Sequence, residues 1–166
     1  MSSRSSGRFI LTIIMCAGIL VILLYPAFAG DICSVQHPIK PPNKEFAGRC
    51  DNCGMARPMW ARTWKTFENS KGSFEVCSFT CLAKLAVKSA ENPINVKVAL
   101  YRDPKTMRAA ENASYVVGSK AKGTMTKVSK LAFASQKEAE EFAGTCGGAV
   151  MDFQKTFKLA KKSLKK

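Results

Sequence analysis

Histidine is nearly absent from this chain: His37 is the single one in 166 residues. It lies in a proline-rich stretch with no second histidine beside it, so it reads as a solvated loop residue rather than a metal ligand. Acidic residues are also scarce, 12 against 26 lysines and arginines, for a net charge of +14. No Ser-His-Asp set, carboxylate pair or phosphate-binding glycine loop is recognisable, so the chain is read as a non-enzyme. The basic surplus suits anionic partners such as a membrane surface or an acidic protein, although a solvated basic surface is the plainer account. No aromatic and basic platform or helix-turn-helix pattern is present, and no nucleic-acid partner is expected.

Cysteine supplies what histidine does not. Cys50-Asp-Asn-Cys53-Gly-Met55 is followed by Cys77-Ser-Phe-Thr-Cys81. Two cysteines on a turn and two on the first turn of a helix can converge on one ion as a tetrahedral S4 site. Cys77 and Cys81 are four apart, so both can face the turn from a helix N-terminus, where the dipole favours thiolate over thiol. Copper or zinc is the expected metal, with Cys50, Cys53, Cys77 and Cys81 as candidate ligands. Six of the seven cysteines lie beyond Gly30. Without metal they can pair in 15 ways, and sequence alone does not choose. Their clustering argues against a disulfide-stapled scaffold, because a bridge within either close pair would restrict the unfolded chain little. Cys146 reads equally as a buried or a functional thiol, and no role is assigned to Cys33.

The N-terminus carries Arg4 and Arg8, an apolar run over residues 9–25, and then Pro26-Ala27-Phe28-Ala29-Gly30. That is the charged start, apolar centre and small-residue exit of a secretory signal, with cleavage expected after Ala29. The run also approaches the length needed to span hydrocarbon, so an uncleaved inner-membrane anchor over residues 9–29 is the alternative. In both cases the rest of the chain is expected outside the cytoplasm, in the periplasm. Bulky Met15 and Ile32 precede Cys16 and Cys33, which argues against a lipid-attachment cysteine.

Four segments follow: a signal or anchor (1–29), a linker (30–48) carrying Pro38, Pro41 and Pro42, a metal-binding domain (49–155), and a basic tail (156–166). The tail is expected to be a solvated, fraying helix, with an amphipathic helix on anionic lipid as the alternative. Within the domain, residues 61–68 and 73–77 read as a β-hairpin around Asn69-Ser-Lys-Gly72. Phe79, Leu82, Leu85 and Ala86 have helical spacing over 78–90, stopped at Asn92-Pro93. Turn, hairpin and helix follow in the order of treble-clef-like metal modules. Strands are then expected at 94–101, 114–118 and 131–134. A helix opened by the Ser135 and Glu138 capping box follows, with a last short strand over 150–153. The fold class is therefore α+β, in two small halves of about 49–93 and 94–155. Trp60, Trp64 and Phe67 read as hairpin packing. Met55, Met59, Met125 and Met151 each read as core filler before ligand, and only its place beside Cys53 lifts Met55 above that.

Five landmarks occur in order: Cys50-x-x-Cys53-Gly-Met55, Tyr115-Val-Val-Gly-Ser119, Met125, Leu131-Ala-Phe-Ala134 and Phe142-Ala-Gly-Thr-Cys-Gly-Gly148. In that order they resemble the nitrous oxide reductase accessory protein family, NosL, over residues 49–155. The resemblance implies an extracytoplasmic copper(I) protein of two ββαβ-like halves, delivering copper to a client metalloenzyme, nitrous oxide reductase. It also implies Cys53, Met55 and Met125 as ligands, a soft and under-coordinated set from which an ion can leave. Cys77 and Cys81 lie outside these landmarks and resemble treble clefs of the TRASH and YHS type. On the family reading Cys81 is dispensable for copper(I). Two alternatives stand beside it: a structural zinc module of four thiolates that binds a partner, and a thiol-disulfide redox protein using Cys50 and Cys53. The second is disfavoured because the pair does not open a helix after a strand.

Overall fold

Alternating apolar and polar residues on either side of Asn69-Ser-Lys-Gly72 build the first hairpin. In the computed structural model, which describes residues 33, 46–124 and 126–165, β1 (Lys65–Asn69) pairs antiparallel with β2 (Gly72–Val76) from Lys65 opposite Val76 to Asn69 opposite Gly72. Phe67 and Phe74 stack across it at 5.3 Å. The first helical segment, α1 (Arg57–Trp60), precedes the hairpin and runs into a 3-10 turn (Ala61–Thr63). Residues 61–63 were expected in the strand. Pro58 at the start of α1 presets helical φ and accounts for the difference.

Helix α2 (Phe79–Ser89) starts where Ser78 accepts a hydrogen bond from the Cys81 amide, and ends at Ala90 in the left-handed region. It buries Phe79, Leu82, Ala83 and Ala86. Strands β3 (Ile94–Ala99) and β4 (Met107–Ala109) complete a sheet of order β2-β1-β3-β4. The three-residue β4 carries too little alternation to be legible in sequence.

The second half repeats the plan with β5 (Ser114–Val117), β6 (Lys130–Phe133), α3 (Gln136–Cys146) and β7 (Ala149–Met151), in a sheet of order β6-β5-β7. In both halves the first strand lies between the second and third, and all these pairings are antiparallel. The α+β architecture of two ββαβ units is therefore present. Ser135 accepts from the Glu138 amide, while the Glu138 carboxylate accepts from the Ala134 amide. Reciprocal capping of this kind satisfies donors at the helix start.

The halves share their core through β5. Tyr115 and Val117 join the apolar cluster of Trp64, Phe67, Val76, Phe79 and Leu82, whereas Val116 joins Leu131, Phe133 and Phe142. Strand alternation sends successive side chains to opposite faces, so both faces of this one strand are buried.

Three expectations are corrected. The halves do not divide at residue 93, because β3 and β4 pair into the first sheet and the second sheet begins only at β5. Residues 156–166 are not a fraying tail. Helix α4 (Phe153–Lys162) is capped by Asp152 and buries Phe153, Thr156, Phe157 and Ala160. That stripe has the spacing of one helix face, and it packs against α2 and β5, so it is not free to enter lipid. The stretch 30–48 is not a free linker at its ends. Phe46 is 1% exposed, with the Arg57 guanidinium lying 6.0 Å from its ring, and the Gly48 carbonyl accepts from the Arg57 amide. Cys33 is bridged to Cys146 across 113 residues, with Cα atoms 5.4 Å apart. The clustering of the other four cysteines bears only on bridges within the close pairs, and this bridge joins two cysteines far apart in sequence. The signal or anchor segment, residues 34–45 with His37, Met125 and Lys166 lie outside the described residues. Among the described residues, no helix is long and apolar enough to cross a membrane.

Candidate metal centre

The Cys50 to Met55 turn is held by its own backbone. The Cys50 amide donates to the Met55 carbonyl at 2.9 Å and the Gly54 amide to the Cys50 carbonyl at 2.8 Å. Gly54 has φ +73°, a conformation that glycine adopts without the Cβ penalty. Asp51 then ties the turn to β2: its amide donates to the Glu75 carbonyl, and its carboxylate accepts from the Glu75 amide at 2.6 Å. Glu75 in turn accepts from the Trp64 indole at 3.0 Å. The turn is thereby fixed beside the end of β2, where the chain delivers Cys77.

Cys77 and Cys81 come from the junction of β2 and α2. The Thr63 hydroxyl donates to the Cys77 carbonyl at 2.8 Å, and the Ser78 hydroxyl accepts from the Cys81 amide at 3.2 Å. The four sulfur atoms of Cys50, Cys53, Cys77 and Cys81 lie within 4.8 Å of one another. Three of them form a nearly equilateral triangle: Cys53 to Cys77 is 3.6 Å, Cys77 to Cys81 is 3.7 Å, and Cys81 to Cys53 is 3.8 Å. Thiolates at a bond length of about 2.3 Å around one tetrahedral ion stand roughly 3.8 Å apart. The donor set therefore fits a single soft metal ion in both spacing and chemistry, copper(I) and zinc alike. Cys50, Cys77 and Cys81 are buried, and Cys53 is exposed.

Hydrogen bonding sorts the thiols. Cys81 is pulled down to about 5, first by its hydrogen bond with Cys77 and, against burial, by Ser78 and Asn52. The Asn52 amide nitrogen lies 3.3 Å from its sulfur. Cys77 is pushed up, because it gives its proton to that bond and because it is buried. Cys53, although exposed as a residue, is raised by partial desolvation of its thiol, against the Met55 backbone amide, which favours its thiolate. A thiolate is thus already favoured at Cys81 in the protein without metal.

All four candidate cysteines are brought together. Met55 is half-buried and packs against the core of the first half. Met125 lies outside the described residues. Its neighbour Thr124 is hydrogen-bonded to Thr63, the same residue that holds the Cys77 carbonyl. Met59 is 42% exposed, and Met151 packs against the first core. Asn52, Thr63 and Ser78 support the centre without being among the candidate ligands expected from sequence. Ser78 carried a usable signal as the N-cap residue directly before a helical apolar pattern. Asn52 and Thr63 carried none, because their roles follow from contacts 29 and 14 residues away. The Cys50 and Cys53 pair stands on a turn rather than at a helix start, as the case against a redox protein requires.

The family model of NosL matches residues 44–158. Among solved structures, the chain is similar to the copper chaperone NosL from Shewanella denitrificans, at 20% identity and a TM-score of 0.53. The match covers 66% of this chain and 89% of that one. At that identity the likeness is one of fold. A search of the curated proteins finds no match.

Proposed function

The chain belongs to the NosL family, and from that premise we propose that it is a copper(I)-binding accessory protein of the periplasm, carrying its ion at Cys50, Cys53, Cys77 and Cys81. The observation that carries this reading is the triangle of sulfur atoms 3.6 to 3.8 Å apart with one exposed corner. Three buried donors retain an ion against water. The exposed Cys53 is the ligand that an incoming donor can replace, and copper(I) tolerates the low coordination that such an exchange passes through. Met55, two residues beyond Cys53, serves as a thioether donor on the exchange side, and the family resemblance adds Met125 as a second thioether. The copper chaperone described for the structural neighbour supports copper as cargo. The recipient is a client metalloenzyme, nitrous oxide reductase. Export follows from the charged and apolar N-terminus, with the protein either released after Ala29 or held at the inner membrane by residues 9–29. The protein acts by ligand exchange and is not an enzyme.

A structural zinc module is the second reading, favoured by the same sulfur spacing. Titration of the oxygen-free protein against a copper(I) chelator decides between them. The copper reading expects one tightly held copper(I) ion that displaces zinc. It also expects Met55→Leu to weaken copper(I) by less than about tenfold while leaving zinc affinity unchanged. Zinc that is retained against excess copper(I) supports the second reading and contradicts the first.

A further inference from the structure

Lys65 occupies an inward position of β1, where a lysine is seldom found. It is 2% exposed, opposite Val76 on one neighbouring strand and Val98 on the other, both fully buried. Its ammonium donates to the Thr63 carbonyl at 2.7 Å and lies 4.3 Å from the centre of the Phe79 ring. An ammonium has three donors, and a buried one without a counter-ion is costly. Among the described residues no carboxylate pairs with it. Burial draws it down to about 7, and the groups that act to raise it again are Cys77 and Cys81. A second buried lysine, Lys130, lies near enough to oppose its charge and donates to the Val128 carbonyl at 3.2 Å. Val76 directly precedes Cys77 and Phe79 stands between Cys77 and Cys81, so the Lys65 ammonium sits at the β2 to α2 junction that delivers both thiols, where a filled thiolate centre would favour its charged form.

We propose that Lys65 is the built-in counter-charge of the thiolate centre, a positioning residue that acts on a bound ion through Cys77 and Cys81 without ligating it. This rests on the metal-binding reading. Four thiolates around copper(I) leave three excess negative charges, and around zinc(II) they leave two. Such an excess is tolerated in a low-dielectric interior only with a nearby cation. Lys65 thus offsets part of the cost of loading, and it matters more for the monovalent ion.

The test is Lys65→Met, which keeps an unbranched side chain one atom shorter and removes its charge. Lys65→Gln is the second variant, retaining a donor for Thr63. Three readouts on the oxygen-free protein are compared: thermal stability without metal, the cobalt(II) absorption spectrum of the centre, and copper(I) and zinc(II) affinities by chelator competition. Both variants are expected to fold and to keep the wild-type cobalt band shape, which reports unchanged sulfur geometry. Copper(I) affinity is expected to fall by about tenfold or more, with a smaller loss for zinc(II). Wild-type copper(I) affinity in both variants overturns the proposal. So does an equal loss for the two metals with an altered cobalt spectrum, or failure of both variants to fold, since each marks a purely structural role. A wild-type protein that takes up neither metal overturns the metal-binding reading, a result distinct from any of these.

Discussion

Cys81→Ser is expected to lower copper(I) affinity by about 100-fold or more, in a protein whose far-UV circular dichroism without metal is unchanged. Four-ligand thiolate and imidazole sites contribute roughly 10 to 16 kcal/mol in all, so one ligand is worth about 3 kcal/mol. Cys81 stands 3.7 Å from Cys77 and 3.8 Å from Cys53, so it belongs to the same triangle as the cysteine of the Cys-Gly-Met motif. Its thiol is also pulled down to about 5, first by Cys77 and then by Ser78 and Asn52. The cap that starts α2 uses the Cys81 backbone amide and the Ser78 hydroxyl, and serine at 81 leaves both in place. Copper(I) competition on this variant distinguishes the four-thiol centre from the narrower set of Cys53, Met55 and Met125 implied by the family landmarks. Wild-type affinity in Cys81→Ser would return the site to that narrower set.

Removal of the Cys33 to Cys146 bridge is expected to have the largest effect on stability. A cross-link across 113 residues removes much chain entropy from the unfolded state. The loss on breaking such a bridge is about 2 to 5 kcal/mol, or roughly 10 °C in Tm for a body of this size. Cys146→Ala also truncates a fully buried side chain next to Phe142 and Ala139, whereas Cys33→Ala does not. Denaturant unfolding of both variants therefore measures the bridge from Cys33→Ala and the added packing loss from Cys146→Ala. Metal affinity is expected to be untouched in both, because the bridge belongs to the second core cluster and the thiols to the first. Wild-type stability in Cys33→Ala would remove the bridge from the account.

Elements with strong local signals were legible in the sequence. The hairpin announced itself through alternation around Asn69-Ser-Lys-Gly72, and α2 and α3 through apolar spacing behind Ser78 and Ser135. Convergence of the four cysteines was legible as well, since a turn and a helix start can present paired thiols to one point. What escaped notice depends on contacts distant in sequence. The apolar stripe of α4 looks like a membrane-lying or fraying helix until α2 supplies a surface that covers it. The partner of Cys146 is 113 residues away. Lys65 sits at the start of a strand, where lysine ordinarily faces water. What surrounds it, Val76 before Cys77 and the Phe79 ring before Cys81, is set by strand pairing and helix packing that no local pattern shows. In each case a local pattern named the residue correctly as polar, apolar or thiol, and tertiary packing decided what that property was used for.

X-ray absorption at the copper edge, on wild-type protein loaded with one equivalent of copper(I) without oxygen, tests the four-thiol centre most directly. The account predicts a first shell made only of sulfur, three or four atoms at about 2.3 Å, and a shell that loses a sulfur in Cys81→Ser. A shell containing nitrogen or oxygen donors, or a sulfur count that Cys81→Ser leaves unchanged, would contradict it.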